Sequence, residues 1–325
     1  MAPVLVDGAK ITLNRHRIYM RAFLIRRLLF AILSVIVSTM VVFFLSRVQG
    51  DPRYLFLASG YTSQEQWDAW GEKMGLDKPL PLQYFYWLGK AVKGDFGDSI
   101  KSGYSSREMI TIYGPASLQL GLAAFLFVLV TGIPLGVLSA VKRGSVWDLV
   151  GRAFAVFGQA LPPFWLGIML ILVFAVTLEW LPPGQRGGPS SYILPAITLG
   201  WISSAGMMRL IRSSMLEVLD SEFVKLARAK GVSTRAVVWK HALKNSLIPP
   251  LTYGALIMAG FIAGTVVTET VFAWPGLGFM TVQAIGNNDF PVMTTAVMVF
   301  TIIYLLTVFV VDLLYGFIGP RIRYS

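Results

Sequence analysis

The 325-residue sequence contains no cysteine and only two histidines, His16 and His241. The lack of cysteine excludes disulfide bonds, thiol catalysis and cysteine-ligated metal sites. Because the two histidines lie far apart in basic surroundings, we expect no metal site. The sequence also has no Gly-x-x-x-x-Gly-Lys-Ser/Thr loop and no His-Glu-x-x-His pair. It therefore predicts neither an ATP-binding phosphate loop nor a membrane-embedded metalloenzyme.

Charged residues are scarce as well: they make up 14% of the chain, whereas hydrophobic residues make up 55%. Soluble domains carry about 25% charged residues. This chain therefore lacks the polar surface needed to cover itself in water, and the composition predicts an all-α polytopic membrane protein. The net charge of +11 follows the predicted sides of the membrane, so we expect no nucleic-acid partner.

Apolar stretches long enough to cross a bilayer, about 20 residues, occur six times. Prolines within or beside these stretches are tolerated in membrane helices. Gly132, Gly136 and Gly167 should allow neighbouring helices to approach closely. The predicted spans are Phe23–Leu45, Ser117–Val141, Ala153–Thr177, Ile193–Met208, Pro249–Val271 and Thr294–Ile318.

Lys and Arg residues concentrate before the first span, between the second and third, and between the fourth and fifth. The positive-inside rule therefore places both termini of this multi-pass protein in the cytoplasm. The resulting domains are a cytoplasmic tail 1–22, a first span 23–45, an extracytoplasmic loop 46–116, a transmembrane core 117–318 with a cytoplasmic loop 209–248, and a tail 319–325.

The extracytoplasmic loop is rich in aromatic residues, including Trp67, Trp70 and Trp87. We expect two or three short helices on the outer membrane face. Aromatic side chains often anchor such helices at the level of the lipid headgroups, but they would equally suit contact with a partner protein. The sequence leaves both interpretations open.

The stretch SEFVKLARAKGVSTRAVVWKHALKNSLIPP, in the cytoplasmic loop, is basic and amphipathic. Gly231 should end its first helix in a left-handed conformation, and Ser233 or Thr234 could cap a second helix. The spacing of the apolar residues predicts that one helical face is formed by Leu216, Leu219, Phe223 and Leu226.

This predicted helix–turn–helix could lie flat on anionic lipid, which would explain its charge. That interpretation does not explain the glycine break or the small residues Ala227 and Ala229 just before it. Small residues beside a tight turn favour a narrow projection that fits a groove on another protein. We therefore favour the interpretation that this segment docks onto another protein.

ARAKG followed by HALKNSLIPP resembles the cytoplasmic coupling loop of binding-protein-dependent ABC importer permeases, in the dipeptide, oligopeptide and nickel branch. Further matches occur in the family's order over all but the N-terminal tail: GLDKPLPLQY, GDFGDS, LPPFWLG, YILPAITLG, RLIRSSMLEVL, ETVFAWPGLG and GPRIRY. The resemblance implies six transmembrane helices in the type I ABC importer permease fold. It also implies a transport subunit without catalysis, with ATP and Mg²⁺ bound on separate ATPase chains.

The resemblance further implies half of a translocation path for short peptides in a bacterial or archaeal inner membrane. Its partners would be a second homologous permease, one or two cytoplasmic ABC ATPases, and an extracytoplasmic binding protein. The same machinery could instead import nickel, opines or oligosaccharides. The candidate coupling residues are Phe223, Ala227, Arg228, Lys230 and Gly231.

The chain departs from the general coupling motif at Lys225 and Leu226, where many ABC importers have Glu and Ala, and at Lys244, where they have Pro. Ala227 and Gly231 are therefore the positions that match the motif best.

Two carboxylates lie within apolar runs: Glu269, near the outer end of the fifth span, and Asp312 in the sixth. Intramembrane carboxylates often line solute or proton paths, so Glu269 is a candidate for the translocation path. Both residues also lie close enough to a predicted interface to be solvated. A secondary transporter or channel would be expected to show more buried charges and inverted repeats, and neither is evident.

Overall fold

The computed structural model describes residues 4–48, 51, 53–54 and 63–318, with side chains described between 25 and 310 except at 48, 66, 73 and 262–264. Every regular element in this part is helical. Short helical turns occur at Ile171–Thr177, Pro189–Tyr192, Thr234–Ala236, Val237–Ala242 and Leu243–Ser246. The longer helices are α1 Val4–Val48, α2 Gln64–Met74, α3 Leu80–Val92, α4 Ser106–Val141, α5 Val146–Ala160, α6 Pro163–Leu170, α7 Ile193–Leu219, α8 Glu222–Ala229, α9 Ile248–Gly264, α10 Val266–Val271, α11 Leu277–Gly286 and α12 Phe290–Ile318.

Four stretches of the described residues are long and apolar enough to cross a membrane, and α5 with α6 makes a fifth if that bent pair is one span. The all-α polytopic prediction is confirmed. The helices continue beyond several predicted ends: α4 begins at Ser106 rather than Ser117, and α7 continues to Leu219. The four spans are Ile25–Arg47, Ser106–Val141, Pro189–Leu219 and Phe290–Val310.

The predicted third span, Ala153–Thr177, is wrong as a single helix. The chain bends by 107° between α5 and α6. Leu161 is extended, with φ −89° and ψ 124°, because a residue before proline is disfavoured in the helical region. Pro163 then begins α6, where proline's fixed φ suits the first helical turn. The two prolines therefore turn the predicted crossing into two arms.

The predicted fifth span, Pro249–Val271, is also divided. Helix α9 ends at Gly264 and α10 begins at Val266. Thr265, between them, has φ −71° and ψ −15°, which departs from regular α-helical geometry. The short helix α10 carries Glu269, so this break determines where the carboxylate lies.

Helices α4 and α7 form the centre of the core. A Cβ atom at Gly132 would lie 2.8 Å from Met207, and one at Gly136 would lie 2.7 Å from Ile211. Real Cβ atoms do not approach so closely, so only glycine permits this helix crossing. The predicted close approach at these glycines is confirmed, and it is typical of small residues at membrane helix interfaces.

Candidate coupling segment and buried polar sites

The predicted glycine turn is present at the end of α8. Gly231 has φ +76°, its backbone N–H donates to the Arg228 carbonyl at 2.9 Å, and the Val232 N–H donates to the Ala227 carbonyl at 3.2 Å. This pair of hydrogen bonds is the Schellman motif that closes a helix through a left-handed residue. No atom lies within 4 Å of a Cβ built on Gly231. The tip of the turn is therefore narrow and open on its outside.

The segment after the turn begins with a side-chain cap. The Ser233 hydroxyl accepts a hydrogen bond from the Ala236 N–H at 3.4 Å, so Ser233, one of the two predicted candidates, is the cap. The chain then forms a π-helical turn at Val237–Ala242. Val237 and Ala242 are fully buried there, so the second arm of the turn is fixed to the core.

The predicted apolar face through Leu216, Leu219, Phe223 and Leu226 is wrong. The helix stops at Leu219 and restarts at Glu222, so the helical period does not carry across the break. Val224 is the buried residue of α8, whereas Phe223 and Leu226 are 46% and 56% exposed.

Trp239, which the sequence analysis did not single out, is 52% exposed on the second arm. Helix α8 packs against the turn that carries it. Exposed large apolar side chains in one segment commonly mark a surface that binds a partner. Arg228 and Lys230, beside the tip, are exposed as well.

A buried ion pair lies between the helices from which this segment extends. Asp148 of α5 is almost fully buried and accepts from the Arg212 Nε at 2.8 Å and from the Ser139 hydroxyl at 2.6 Å. The Gly144 N–H donates to its second oxygen at 3.1 Å. These bonds connect α4, α5 and α7. Asp148 and Arg212 are 64 residues apart in the sequence. The spacing of apolar residues, which is a local signal, could not predict such an ion pair.

The carboxylate of Glu269 is fully buried, so the expectation that it could be solvated is wrong. The Ser117 hydroxyl donates to its Oε1 at 2.6 Å and the Phe279 N–H donates to its Oε2 at 3.0 Å. Ser117 also accepts from the Leu277 N–H at 2.8 Å. Glu269 and Ser117 therefore each satisfy one of the free N–H groups at the start of α11, where helices favour negative charge.

The Trp-Pro-Gly corner after α10 stabilises the same junction between α4, α10 and α11. Trp274 is fully buried, and its indole N–H donates to the Ala116 carbonyl at 3.0 Å. A Cβ at Gly276 would lie 2.3 Å from the Glu269 carboxylate, so the Trp-Pro-Gly sequence admits the carboxylate. The role of Glu269 in the translocation path stays a prediction. The side chain of Asp312 lies outside the described residues.

Glu269→Ala should lower the thermal stability of the purified chain. It leaves the Ser117 hydroxyl and the Phe279 N–H without their acceptor, and each buried unpaired group costs about 1–3 kcal/mol, so we expect a loss of roughly 2–6 kcal/mol. Glu269→Gln, which keeps one acceptor oxygen, should lose less. Glu217→Ala removes an exposed carboxylate and should be nearly neutral. Full stability of Glu269→Ala with lost transport would instead assign the residue to the solute path.

A third buried carboxylate anchors the predicted extracytoplasmic loop. Asp289, between α11 and α12, accepts from the Ser99 hydroxyl at 2.5 Å and from the backbone N–H groups of Ile100 and Lys101 at 3.1 and 3.4 Å. The end of the predicted loop is therefore fixed to the core. The expected short helices of this loop are α2 and α3 in its described part.

Comparison with known proteins places this chain in a family. A model described as binding-protein-dependent transport system inner membrane component matches residues 132–324, and a model for the N-terminal part of such membrane components matches residues 20–104. The chain belongs to this family of transport permeases.

Individual relatives match along almost the whole chain. The di/tripeptide transport system permease protein DppB of Pseudomonas aeruginosa (strain UCBPP-PA14) is 36% identical over 336 residues, covering 94% of this chain and 100% of the relative. The oligopeptide transport system permease protein AppB of Bacillus subtilis (strain 168) is 37% identical over 318 residues, with the same coverage. The glutathione transport system permease protein GsiC of Escherichia coli (strain K12) is 37% identical over 304 residues, covering 93% of this chain and 99% of GsiC.

A solved structure shows the fold. The MetNI methionine ABC transporter, in an inward-facing conformation, matches with a TM-score of 0.54 at 19% identity, covering 64% of this chain and 97% of the matched chain. At this identity the likeness supports the ABC importer transmembrane fold and nothing finer. With the family match, it makes the chain a transport permease subunit rather than an enzyme.

Proposed function

We propose that this chain forms half of the translocation path of an ATP-driven importer of short peptides. The observation that carries the proposal is the match of 35–37% identity to di/tripeptide, dipeptide and oligopeptide permeases along 94% of the chain. The second half would be a homologous permease. An extracytoplasmic binding protein would deliver the solute, and the termini would lie in the cytoplasm, where Lys and Arg concentrate.

We assign ATPase docking to the segment around Gly231. Its tip is open, Phe223 and Trp239 are exposed, and Val224 fixes the first arm to the core. ATP and Mg²⁺ would bind on the ATPase chains, which would press on this segment as they close. The coupling residues Phe223, Ala227, Arg228, Lys230 and Gly231 all lie on α8 or its closing turn.

The network at Asp148 would pass this movement to the spans. Only two residues separate the end of α7 from the start of α8, and Arg212 on α7 is hydrogen-bonded to Asp148 on α5. A displacement of α8 would therefore reach two core helices through a short, hydrogen-bonded connection.

Copurification tests the assembly. The tagged chain, expressed with its neighbouring genes, should bring down a second permease, ATPase chains and a binding protein, and the ligand held by that binding protein should be a short peptide. If the ligand is nickel, an opine or an oligosaccharide, the proposed substrate is wrong but the proposed importer assembly stands. A stable monomer that moves solute unaided would contradict the proposal.

The extracytoplasmic loop should contact the binding protein. Lys101 is exposed and its backbone is fixed by Asp289, so a photo-crosslinker there should capture the binding protein, as should one at Trp70. The matched control is a crosslinker at Lys240, exposed on the cytoplasmic segment, which should capture the ATPase instead. Capture of lipid alone at Lys101 and Trp70 would favour simple membrane anchoring.

A further inference from the structure

Two core helices expose stripes of opposite character. Both helices are long and apolar enough to cross a membrane. The exposed stripe of α4 repeats every four residues and is wholly apolar: Leu118, Leu122, Leu126 and Val130. In the last turns of α7 the exposed side chains are polar instead: Arg209, Ser213 and Glu217. An apolar stripe suits lipid, whereas a charged side chain within a span normally faces water or another polar surface.

Arg209 extends back into the membrane span. The sequence places it just after the fourth predicted span, at the start of the predicted cytoplasmic loop. In the structure, however, its Nη1 donates to the Gln159 Oε1 at 2.9 Å. Gln159 lies in the last turn of α5, beside the bend between α5 and α6, and about 16 Å along the helix from Asp148. Arg212, one turn later in α7, is bonded to Asp148 at the start of α5 instead.

An arginine that only reaches the membrane surface would extend in the opposite direction. Long basic side chains near the end of a span normally extend toward the headgroups and water. In the predicted orientation, that direction is the cytoplasmic end of α7. Arg209 instead leans toward the N-terminus of α7, as helical side chains do, and its guanidinium lies beside the bend. Both Arg209 and Gln159 are exposed, so they form a polar surface within the span that lipid would not cover favourably.

The guanidinium of Arg209 is held by a neutral group. Gln159 supplies an uncharged amide oxygen, and within the described part of the chain no carboxylate forms an ion pair with Arg209. An arginine has five N–H donors, so most of them remain available on the exposed surface. A guanidinium with free donors can bind a carboxylate through two parallel hydrogen bonds. The pair is therefore suited to an anionic group that comes from outside the chain.

We propose that Arg209 and Gln159 line the solute path, and that Arg209 binds the carboxylate of the peptide during translocation. This inference rests on the proposed function, which supplies a water-filled path through the membrane and a substrate that ends in a carboxylate. Arg209 would then favour peptides whose C-terminus is free over peptides whose C-terminus is an amide.

Thiol labelling tests whether this surface faces water. The chain has no cysteine, so Ala160→Cys, exposed and next to Gln159, introduces a single thiol and keeps the bond between Arg209 and Gln159. In the reconstituted complex, membrane-impermeant methanethiosulfonate reagents should label this thiol, as measured by the intact mass of the chain. Leu126→Cys, on the apolar stripe of α4, should stay unlabelled.

The charge of the reagent tests the cation. Relative to their rates with free cysteine, the anionic reagent should label Ala160→Cys about tenfold faster than the cationic reagent. Arg209→Gln in the same background should remove this preference. Arg209→Lys should retain it, and so should Arg143→Gln, which removes an exposed cation outside the span. An unlabelled Ala160→Cys, or a preference that survives Arg209→Gln, would overturn the proposal.

Uptake tests the peptide carboxylate. A radiolabelled dipeptide and its C-terminal amide are each supplied on saturated binding protein to vesicles that contain the complex and ATP. Wild type should import the free acid about tenfold faster than the amide, whereas Arg209→Gln should import both at similar rates. A residue needed only for folding would lower both rates together and leave their ratio unchanged.

An unchanged ratio in Arg209→Gln would overturn the role of Arg209 in binding the peptide. Loss of the second permease from the purified Arg209→Gln complex would also overturn it, because Arg209 would then serve the contact between the two permeases. If wild type imports neither ligand, the proposed peptide function fails, whereas thiol labelling decides separately whether the cation faces water.

Discussion

Gly231→Val should leave the chain inserted in the membrane and reduce its copurification with the ATPase at least fivefold. A β-branched residue at φ +76° costs on the order of 1–3 kcal/mol of backbone strain, which corresponds to about a fivefold to hundredfold loss of the turn's native population. No atom lies within 4 Å of the Cβ position, so the strain acts chiefly on the turn. The turn would then lose its Schellman hydrogen bonds, and the two arms would no longer be held in their present positions.

The matched control is Gly103→Val on the predicted extracytoplasmic loop. Gly103 has φ +73° and likewise no atom near its Cβ position, so it suffers the same strain away from the docking segment. ATPase copurification should be unchanged in this variant. Equal ATPase association in both variants would mean that the Gly231 turn does not dock.

Ala227→Trp tests the same surface by bulk instead of strain. Ala227 is half-buried on α8, one residue before Arg228. A Trp side chain there should prevent the segment from entering a groove on the ATPase, without touching the spans. Substrate-stimulated ATP hydrolysis in reconstituted vesicles should fall to the unstimulated rate. An interfacial lipid helix predicts the reverse, since an added Trp would strengthen membrane attachment.

The second large effect is expected from Arg212→Ala. It leaves the carboxylate of Asp148, whose side chain is 3% exposed, with only the exposed Arg152 at 3.8 Å as a cationic neighbour, and removing one partner of a buried pair costs about 3–5 kcal/mol. The melting temperature of the purified chain in detergent should fall by on the order of 10 °C. The loss should be accompanied by weaker coupling, because α5 and α7 are no longer joined by this ion pair.

Arg152→Ala is the matched control, since Arg152 lies 3.8 Å from the same carboxylate but is 57% exposed. Exposed ion pairs contribute about 0–1 kcal/mol, so its melting temperature should barely change. The double variant Asp148→Ala, Arg212→Ala should lose less than the sum of the two single losses, because no charge is left unpaired. Equal melting temperatures for Arg212→Ala and Arg152→Ala would exclude a structural role for the ion pair.

Much of the fold and the turn could be predicted from sequence because both depend on local signals. Apolar length identified the spans, and Gly231 with Ser233 identified a helix end and a helix start, as the structure has them. The errors arose where a local feature interrupts a period. Leu161 before Pro162 broke the third span, and the break after Leu219 moved Phe223 to the surface.

The buried polar contacts could not be predicted, because they join residues far apart in the sequence. Ser117 and Glu269 are 152 residues apart, and Ser99 and Asp289 are 190 apart. A carboxylate in an apolar run could be recognised at Glu269, but its partners depend on how α4 and α11 pack. Asp148 and Asp289 lie in short connections or first turns, where acidic residues are unremarkable in sequence.

The central claim is that this chain forms half of the translocation path of an ATP-driven peptide importer and leaves ATP hydrolysis to other chains. Its most direct test is the uptake of a radiolabelled dipeptide into vesicles. The vesicles contain the chain, the second permease and the ATPases, with binding protein added outside and ATP enclosed inside. We predict uptake that requires all four components and ATP, and that falls at least fivefold with Gly231→Val. Dipeptide uptake by this chain alone, driven by an ion gradient without ATP, would contradict the claim.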